Sequence, residues 1–156
     1  MSIEAPEEKA PMFLGESSHS LDDKGRLVLP ARFREQLTFG YLTSEIDKCL
    51  AFWPPDEFNV KATQMKKRLL GNAQDRRVAR AFFAGAQEAT PDRQGRLSIP
   101  PSLRDFADLR REVTVIGQHD HLEIWDAAAW VIHKREGDQA LAEGEPQGLS
   151  SPSDGN

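Results

Sequence analysis

Hydrophobic and polar positions set out two similar halves along this chain. From Met12, through Gly15, to about Leu21 the pattern reads as a strand. Asp22-Asp23-Lys24-Gly25 then interrupts it with turn chemistry, since Asp tolerates unusual dihedrals and Gly takes positive φ freely. A returning strand follows, with Leu27 and Leu29 on one face and Val28 on the other. Pro30 suits the first turn of a short helix, whose buried side falls to Phe33 and Leu37, four residues apart. Two more strands are predicted around Tyr41–Glu45 and Leu50–Phe52, joined by the polar turn Ile46-Asp47-Lys48. Pro54-Pro55-Asp56 ends the second and opens a helix, with Phe58, Ala62, Met65 and Leu69 on one face. Gly71-Asn72 breaks that helix, and another is predicted from Ala73 to Ala84, carrying Val78, Phe82 and Phe83.

The pattern then restarts. A strand leads into the loop Pro91-Asp92-Arg93-Gln94-Gly95, and a second strand is followed by a helix at Pro100. Strands at Val113–Gln118 and Leu122–Trp125 come next, with a helix from Asp126. The restart is literal in places. Asp22-Asp23-Lys24-Gly25-Arg26-Leu27-Val28-Leu29-Pro30, with Phe33 and Arg34, matches Asp92-Arg93-Gln94-Gly95-Arg96-Leu97-Ser98-Ile99-Pro100, with Leu103 and Arg104. Leu50-Ala51-Phe52-Trp53 is echoed by Leu122-Glu123-Ile124-Trp125. Two copies make a duplicated module and not a solenoid. Four short strands cannot bury two faces alone, but two such sets can close a small barrel. The expected fold is α+β, mainly β, with halves interlocked about a pseudo-twofold axis and helices capping the barrel ends.

Charge changes the picture only when divided by region. The net charge is -5, yet residues 1–11 and 136–156 hold eight acids and one base, leaving a body with 19 bases against 17 acids. A mildly basic body permits DNA binding without demanding it. The last twenty residues, rich in Gly and acids, read as a disordered tail. No apolar run approaches the ~20 residues of a membrane span, and no signal peptide is recognisable. The single cysteine, Cys49, excludes an internal disulfide and fits a reducing cytoplasm. A cytosolic protein is expected.

The repeated loops carry the candidate chemistry. Asp22 and Arg26, like Asp92 and Arg96, stand four apart across a turn and can close it with a charge-assisted hydrogen bond. That alone would be a structural staple. Lys24 and Arg93 lie in the same loops, however, and an arginine fork beside a second cation suits guanine edges and phosphates. Both readings stand at this point, and one arginine can do both. The basic stretch Lys61, Lys66, Lys67, Arg68, Arg76, Arg77 and Arg80 reads first as a solvated face or subunit contact, and second as a phosphate surface. His119-Asp120-His121 sits at an expected turn with no partners to complete a metal site, so no metal or cofactor is expected. Trp53 and Trp125, ending equivalent strands, are read as core.

The duplicated D-x-x-G-R-[LV]-x-[LI]-P phrase, with Met12-Phe13 at the opening and Glu123-Ile124-Trp125-Asp126, closely resembles the MraZ family. The resemblance runs from about Met12 to Arg135. It implies two tandem SpoVT-AbrB modules in a double-split barrel, placed at 14–58 and 84–128 around a helical connector at 59–83. Residues 1–11 are expected to form a flexible leader, and 129–156 to hold the end of the last helix and the disordered acidic tail. It further implies a transcriptional regulator of the division and cell-wall gene cluster. Such a regulator assembles as a homo-oligomeric ring and binds G-rich direct repeats in double-stranded DNA upstream of its own operon. The family's D-x-x-x-R element falls on Asp22/Arg26 and Asp92/Arg96, with its arginines implicated in DNA contact. Two other functions are weighed. An antitoxin would pair one such module with a disordered tail, against which two full modules argue. An acid/base hydrolase using Asp22 and Asp92 has no nucleophile–base constellation to support it.

Overall fold

Each copy of the repeat folds as strand, turn, strand, short helix, two strands and longer helical structure. The computed structural model describes residues 12–144. The first half contains β1 (Glu16–Ser20), β2 (Arg26–Val28), α1 (Ala31–Arg34), β3 (Gly40–Glu45) and β4 (Cys49–Trp53). The helices α2 (Pro55–Arg68) and α3 (Ala73–Gly85) connect it to the second half. There β5 (Gln87–Ala89), β6 (Arg96–Ser98), α4 (Pro101–Phe106), β7 (Glu112–Gly117), β8 (Leu122–Asp126) and α5 (Ala127–Glu143) follow.

Six strands form one antiparallel sheet in the order β1-β7-β8-β4-β3-β5, and β2 pairs with β6 in a separate two-stranded ribbon. The order is symmetric. Exchanging each strand for its repeat equivalent leaves it unchanged, so a pseudo-twofold axis passes between β4 and β8 and between β2 and β6. In the ribbon Leu27 faces Leu97, and in the sheet Ala51 faces Glu123, each residue opposite its own equivalent. The halves are therefore swapped into one another: β1 pairs with β7, and β5 with β3.

Two expectations are corrected here. The turn at Asp22–Gly25 does not fold β2 back onto β1 as a hairpin. The first strand of each half joins the other half's third strand, and the second strand crosses to its own equivalent. Nor does the barrel close. β1 and β5 remain edges of the six-stranded sheet, while β2 and β6, three residues each, pack across it as a separate layer. Pro30 and Pro100 follow these short strands and lack the N–H that would extend the ladder. Leu27, Leu29, Leu97 and Ile99 from the ribbon segments meet Leu42, Leu50, Phe52, Val113, Val115, Leu122 and Ile124 from the sheet in one core. Phe33 of α1 and Leu103 of α4 join it. The free edge at β1, Glu-Ser-Ser-His-Ser, is polar, which discourages pairing with another chain.

The longer helices lie on the sheet rather than at barrel ends. α2 and α3 pack on β3, where Phe58 stacks on Tyr41 at 4.2 Å, and α5 packs on β7 and β8. Of the face expected to be apolar on α2, Met65 is buried whereas Leu69 is exposed. Residues 137–143, expected in the disordered tail, form the last turns of α5. Composition misled there, because pairs four apart support the helix: Lys134 with Asp138 at 2.9 Å, and Gln139 with Glu143 at 3.1 Å. The leader at 1–11 and the remainder of the expected tail lie outside the described residues. No described helix is long and apolar enough to cross a membrane.

Candidate nucleic-acid interface

Both repeated loops have the same internal geometry. The Asp22 N–H donates to the Arg26 carbonyl at 2.9 Å, and the Gly25 N–H donates to the Asp22 carbonyl at 2.9 Å. Asp22 Oδ1 accepts the backbone N–H groups of Lys24 and Arg26, each at 2.9 Å, and Oδ2 accepts Arg26 Nε at 2.7 Å. In the second loop Asp92 Oδ1 accepts from the N–H groups of Gln94 and Arg96 at 2.9 Å, and Oδ2 from Arg96 Nε at 2.6 Å. The staple reading is thus realised twice. It uses only Nε of each guanidinium, so the two terminal nitrogens are left for another acceptor.

Those hydrogen bonds hold both carboxyls below the ordinary aspartate value of 3.8. The Arg26 and Arg96 backbone N–H groups contribute most, ahead of the guanidinium bonds. A depressed carboxylate contributes its stabilisation above the ordinary range and loses it as pH falls through the folded value. Asp22 and Asp92 should therefore titrate below 3.8 in a carboxyl-resolved NMR titration, and the loops should loosen only under acid. Titration at ordinary values would mean that the loop bonds do not persist in solution.

The loops are also wired to each other across the axis. The Leu29 N–H donates to the Gly95 carbonyl at 2.8 Å, and the Ile99 N–H donates to the Gly25 carbonyl at 2.9 Å. The Arg104 guanidinium lies against Gly25, and Arg34 lies against Gly95, so each loop rests on an arginine from the opposite half. Both glycines have positive φ, +74° and +79°, where a Cβ is strained by about 1–2 kcal/mol. Gly95→Ala should be the more damaging substitution. It would displace the Arg34 stem as well as its guanidinium, and Arg34 Nε is bonded to the Leu29 carbonyl at 3.1 Å. Gly25→Ala pushes only on the mobile end of Arg104. Thermal melts should show the larger loss for Gly95→Ala, and equal losses would mean that Arg34 does not brace the second loop.

The ribbon sets where the arginines face. Arg26 stands opposite Ser98, and Val28 opposite Arg96, while Leu27 and Leu97 point into the core. Residues opposite in an antiparallel pair share a face, so Arg26, Val28, Arg96 and Ser98 make up the outer face of the ribbon. Arg26 and Arg96 are diagonal neighbours across the axis. Both arginines keep about a quarter to a third of their side-chain surface, 24% and 32%. Lys24 and Arg93 are exposed in the flanking loops. All six residues expected at the site therefore gather at the ribbon and its two turns. Missed from sequence were Ser98 as a face residue, and Arg34 and Arg104 as braces. The last two were visible as arginines recurring in register after each proline.

Elsewhere, His121 is engaged and is no free ligand. It stacks on Trp53 at 4.0 Å and contacts Asp120 at 2.6 Å and Glu123 at 3.5 Å. Burial works against its protonation, but bonds to Glu123 and Asp120 outweigh that and raise its pKa. Burial, followed by the charges of Glu123, Glu45 and Asp47, pushes the pKa of the Cys49 thiol far up.

Comparison with known proteins agrees with the twofold repeat. The family model described as "MraZ protein, putative antitoxin-like" matches residues 12–81 and again 82–145. The chain belongs to the MraZ family. Two tandem MraZ matches correspond to the two halves related by the pseudo-twofold axis. "Transcriptional regulator MraZ" of Kocuria rhizophila is 44% identical over 137 residues, covering 87% of this chain and 96% of that protein. The protein of the same name from Salinispora arenicola is 43% identical over 133 residues, 85% of this chain and 94% of its own length. That from Roseiflexus sp. is 43% identical over 120 residues, 76% and 84% respectively. These MraZ relatives are named as regulators of transcription, and none of the names is that of an enzyme.

Proposed function

We propose that the protein is a sequence-specific DNA-binding regulator of transcription whose reading head is the β2–β6 ribbon with its two flanking loops. A two-stranded ribbon fits the major groove of B-DNA, and arginine forks there suit guanine O6 and N7. The observation that carries this reading is the twofold-related display of Arg26 and Arg96, each oriented by an aspartate that leaves its terminal nitrogens unused. Asp22 and Asp92 act as positioning residues. Lys24 and Arg93, on the loop tips, are assigned to the phosphates on either side.

On this reading the target is a set of G-rich direct repeats upstream of the protein's own division and cell-wall gene cluster, where bound protein represses transcription. The protein works as a homo-oligomeric ring at the nucleoid, so that several ribbons engage several repeats. A gel-shift titration with DNA from immediately upstream of its own gene tests the target. Retarded bands that survive excess scrambled competitor are expected. Equal displacement by scrambled DNA would reduce the activity to general polyanion binding.

A further inference from the structure

A half-turn about the pseudo-twofold axis exchanges Arg26 with Arg96 and Asp22 with Asp92. The two ion pairs are nearly the same, Nε to Oδ2 at 2.7 and 2.6 Å, so one arginine fork is presented twice. A twofold head matches a twofold site. Carrying only these arginines, the ribbon would sit on a site and on its inverse equally well. The direct repeats proposed above all point one way, so a head that reads them needs a direction of its own.

Three positions break the symmetry at or beside the ribbon. Asp23 stands where the second loop has Arg93, Lys24 where it has Gln94, and Val28 where the second strand has Ser98. The first two pairs are on the exposed loops, outside the β2–β6 ladder, in the region assigned to phosphates. Phosphates fix register but carry no sequence, so a difference there does not tell a site from its inverse. The third pair is inside the ladder, on the outer face beside the arginines. Val28 is directly opposite Arg96, and Ser98 directly opposite Arg26. Both are exposed, and Val28 keeps 42% of its surface while its neighbours Leu27 and Leu29 fill the core. In the major groove an apolar side chain favours thymine for its 5-methyl group, whereas a serine hydroxyl suits any base edge. Directly opposite residues have Cβ atoms about 4.5–5.5 Å apart, one to two base-pair steps of about 3.4 Å.

We propose that Val28 gives the reading head its direction. Its methyls pack on the 5-methyl of a thymine within two base pairs of the guanine held by Arg96. Ser98 leaves the corresponding base beside the Arg26 guanine unspecified. The two halves of one site therefore differ, and a single chain binds it in one orientation. This rests on the ribbon reading above and names the residue that sets the polarity of the site.

The test uses the full chain and duplexes carrying one upstream repeat, with each thymine replaced in turn by deoxyuridine. That exchange removes the 5-methyl and keeps the base pairing. One replacement should weaken wild-type binding about fourfold, the factor for ~0.8 kcal/mol of buried methyl-sized surface. Val28→Ser should lose that same factor on the thymine duplex and be indifferent to deoxyuridine. Val28→Ser combined with Ser98→Val should move the sensitivity to a thymine built at the twofold-related position. Both positions are exposed, so circular dichroism should match wild type; where a variant does not fold, the wild-type deoxyuridine scan decides alone. Specific wild-type binding with no methyl-sensitive thymine, or a folded Val28→Ser that keeps the sensitivity, overturns the inference and leaves the ribbon reading standing. Wild type displaced equally by scrambled DNA overturns both.

Discussion

Arg26→Ala and Arg96→Ala are each expected to weaken operator binding by about 5- to 150-fold, the range of ~1–3 kcal/mol for a lost bidentate contact to guanine. Their melting temperatures should move little. The reason lies in how the loops are held. Removing the Arg26 side chain breaks one bond to Asp22, whereas Asp22 Oδ1 keeps both backbone N–H donors and the turn keeps its two main-chain bonds. A partly exposed ion pair contributes little to stability by itself. Asp22→Ala should behave differently, because it strips those side-chain acceptors from the loop and lets the arginine wander. Lys24→Ala and Arg93→Ala supply the contrast. Loss of a phosphate contact should lower affinity for all sequences alike and flatten the salt dependence by about one unit of slope each. A large drop in melting temperature for Arg26→Ala, with affinity falling in proportion, would reduce the arginines to staples.

Much of this arrangement was legible in the sequence because the relevant signals are local. Strand and helix identity followed from spacing, as with Phe33 in α1 and Leu37 three residues past its end, both buried as expected. Each loop's internal shape was legible because the Asp–Gly–Arg turn contains nearly all of its own hydrogen bonds. Partner choice was not legible. The two-residue period of β1 is the same whether it pairs with β2 or β7, so the swap between halves leaves no trace in the pattern. The separate ribbon escaped for the same reason, and with it the shared outer face of Arg26, Val28, Arg96 and Ser98. Trp53 and Trp125 are buried as expected, yet on the sheet's outer surface, where they help to line a cleft. At the tail, glycine and acidic residues suggested disorder through 137–143, whereas pairs four apart and the Asp126 cap support a helix.

Binding should climb steeply with the number of DNA repeats, by about 10²–10⁴ in apparent affinity once several reading heads engage at once. One chain offers a small footprint. Its two arginines are diagonal neighbours on a single ribbon, roughly 7–8 Å apart by sheet geometry, enough to touch only a few base pairs. The body carries only a slight excess of base, so phosphate attraction adds little. On the proposed reading, useful affinity comes from joining chains, which would make each later contact effectively intramolecular. Probes carrying one, two or three upstream repeats measure this directly in a titration at fixed salt. Shifting one repeat by half a helical turn should abolish the gain, because it carries that site to the opposite side of the duplex while leaving its sequence intact. Equal affinity for one and three repeats in the wild type would mean that a single ribbon suffices, and that assembly serves something other than DNA reading.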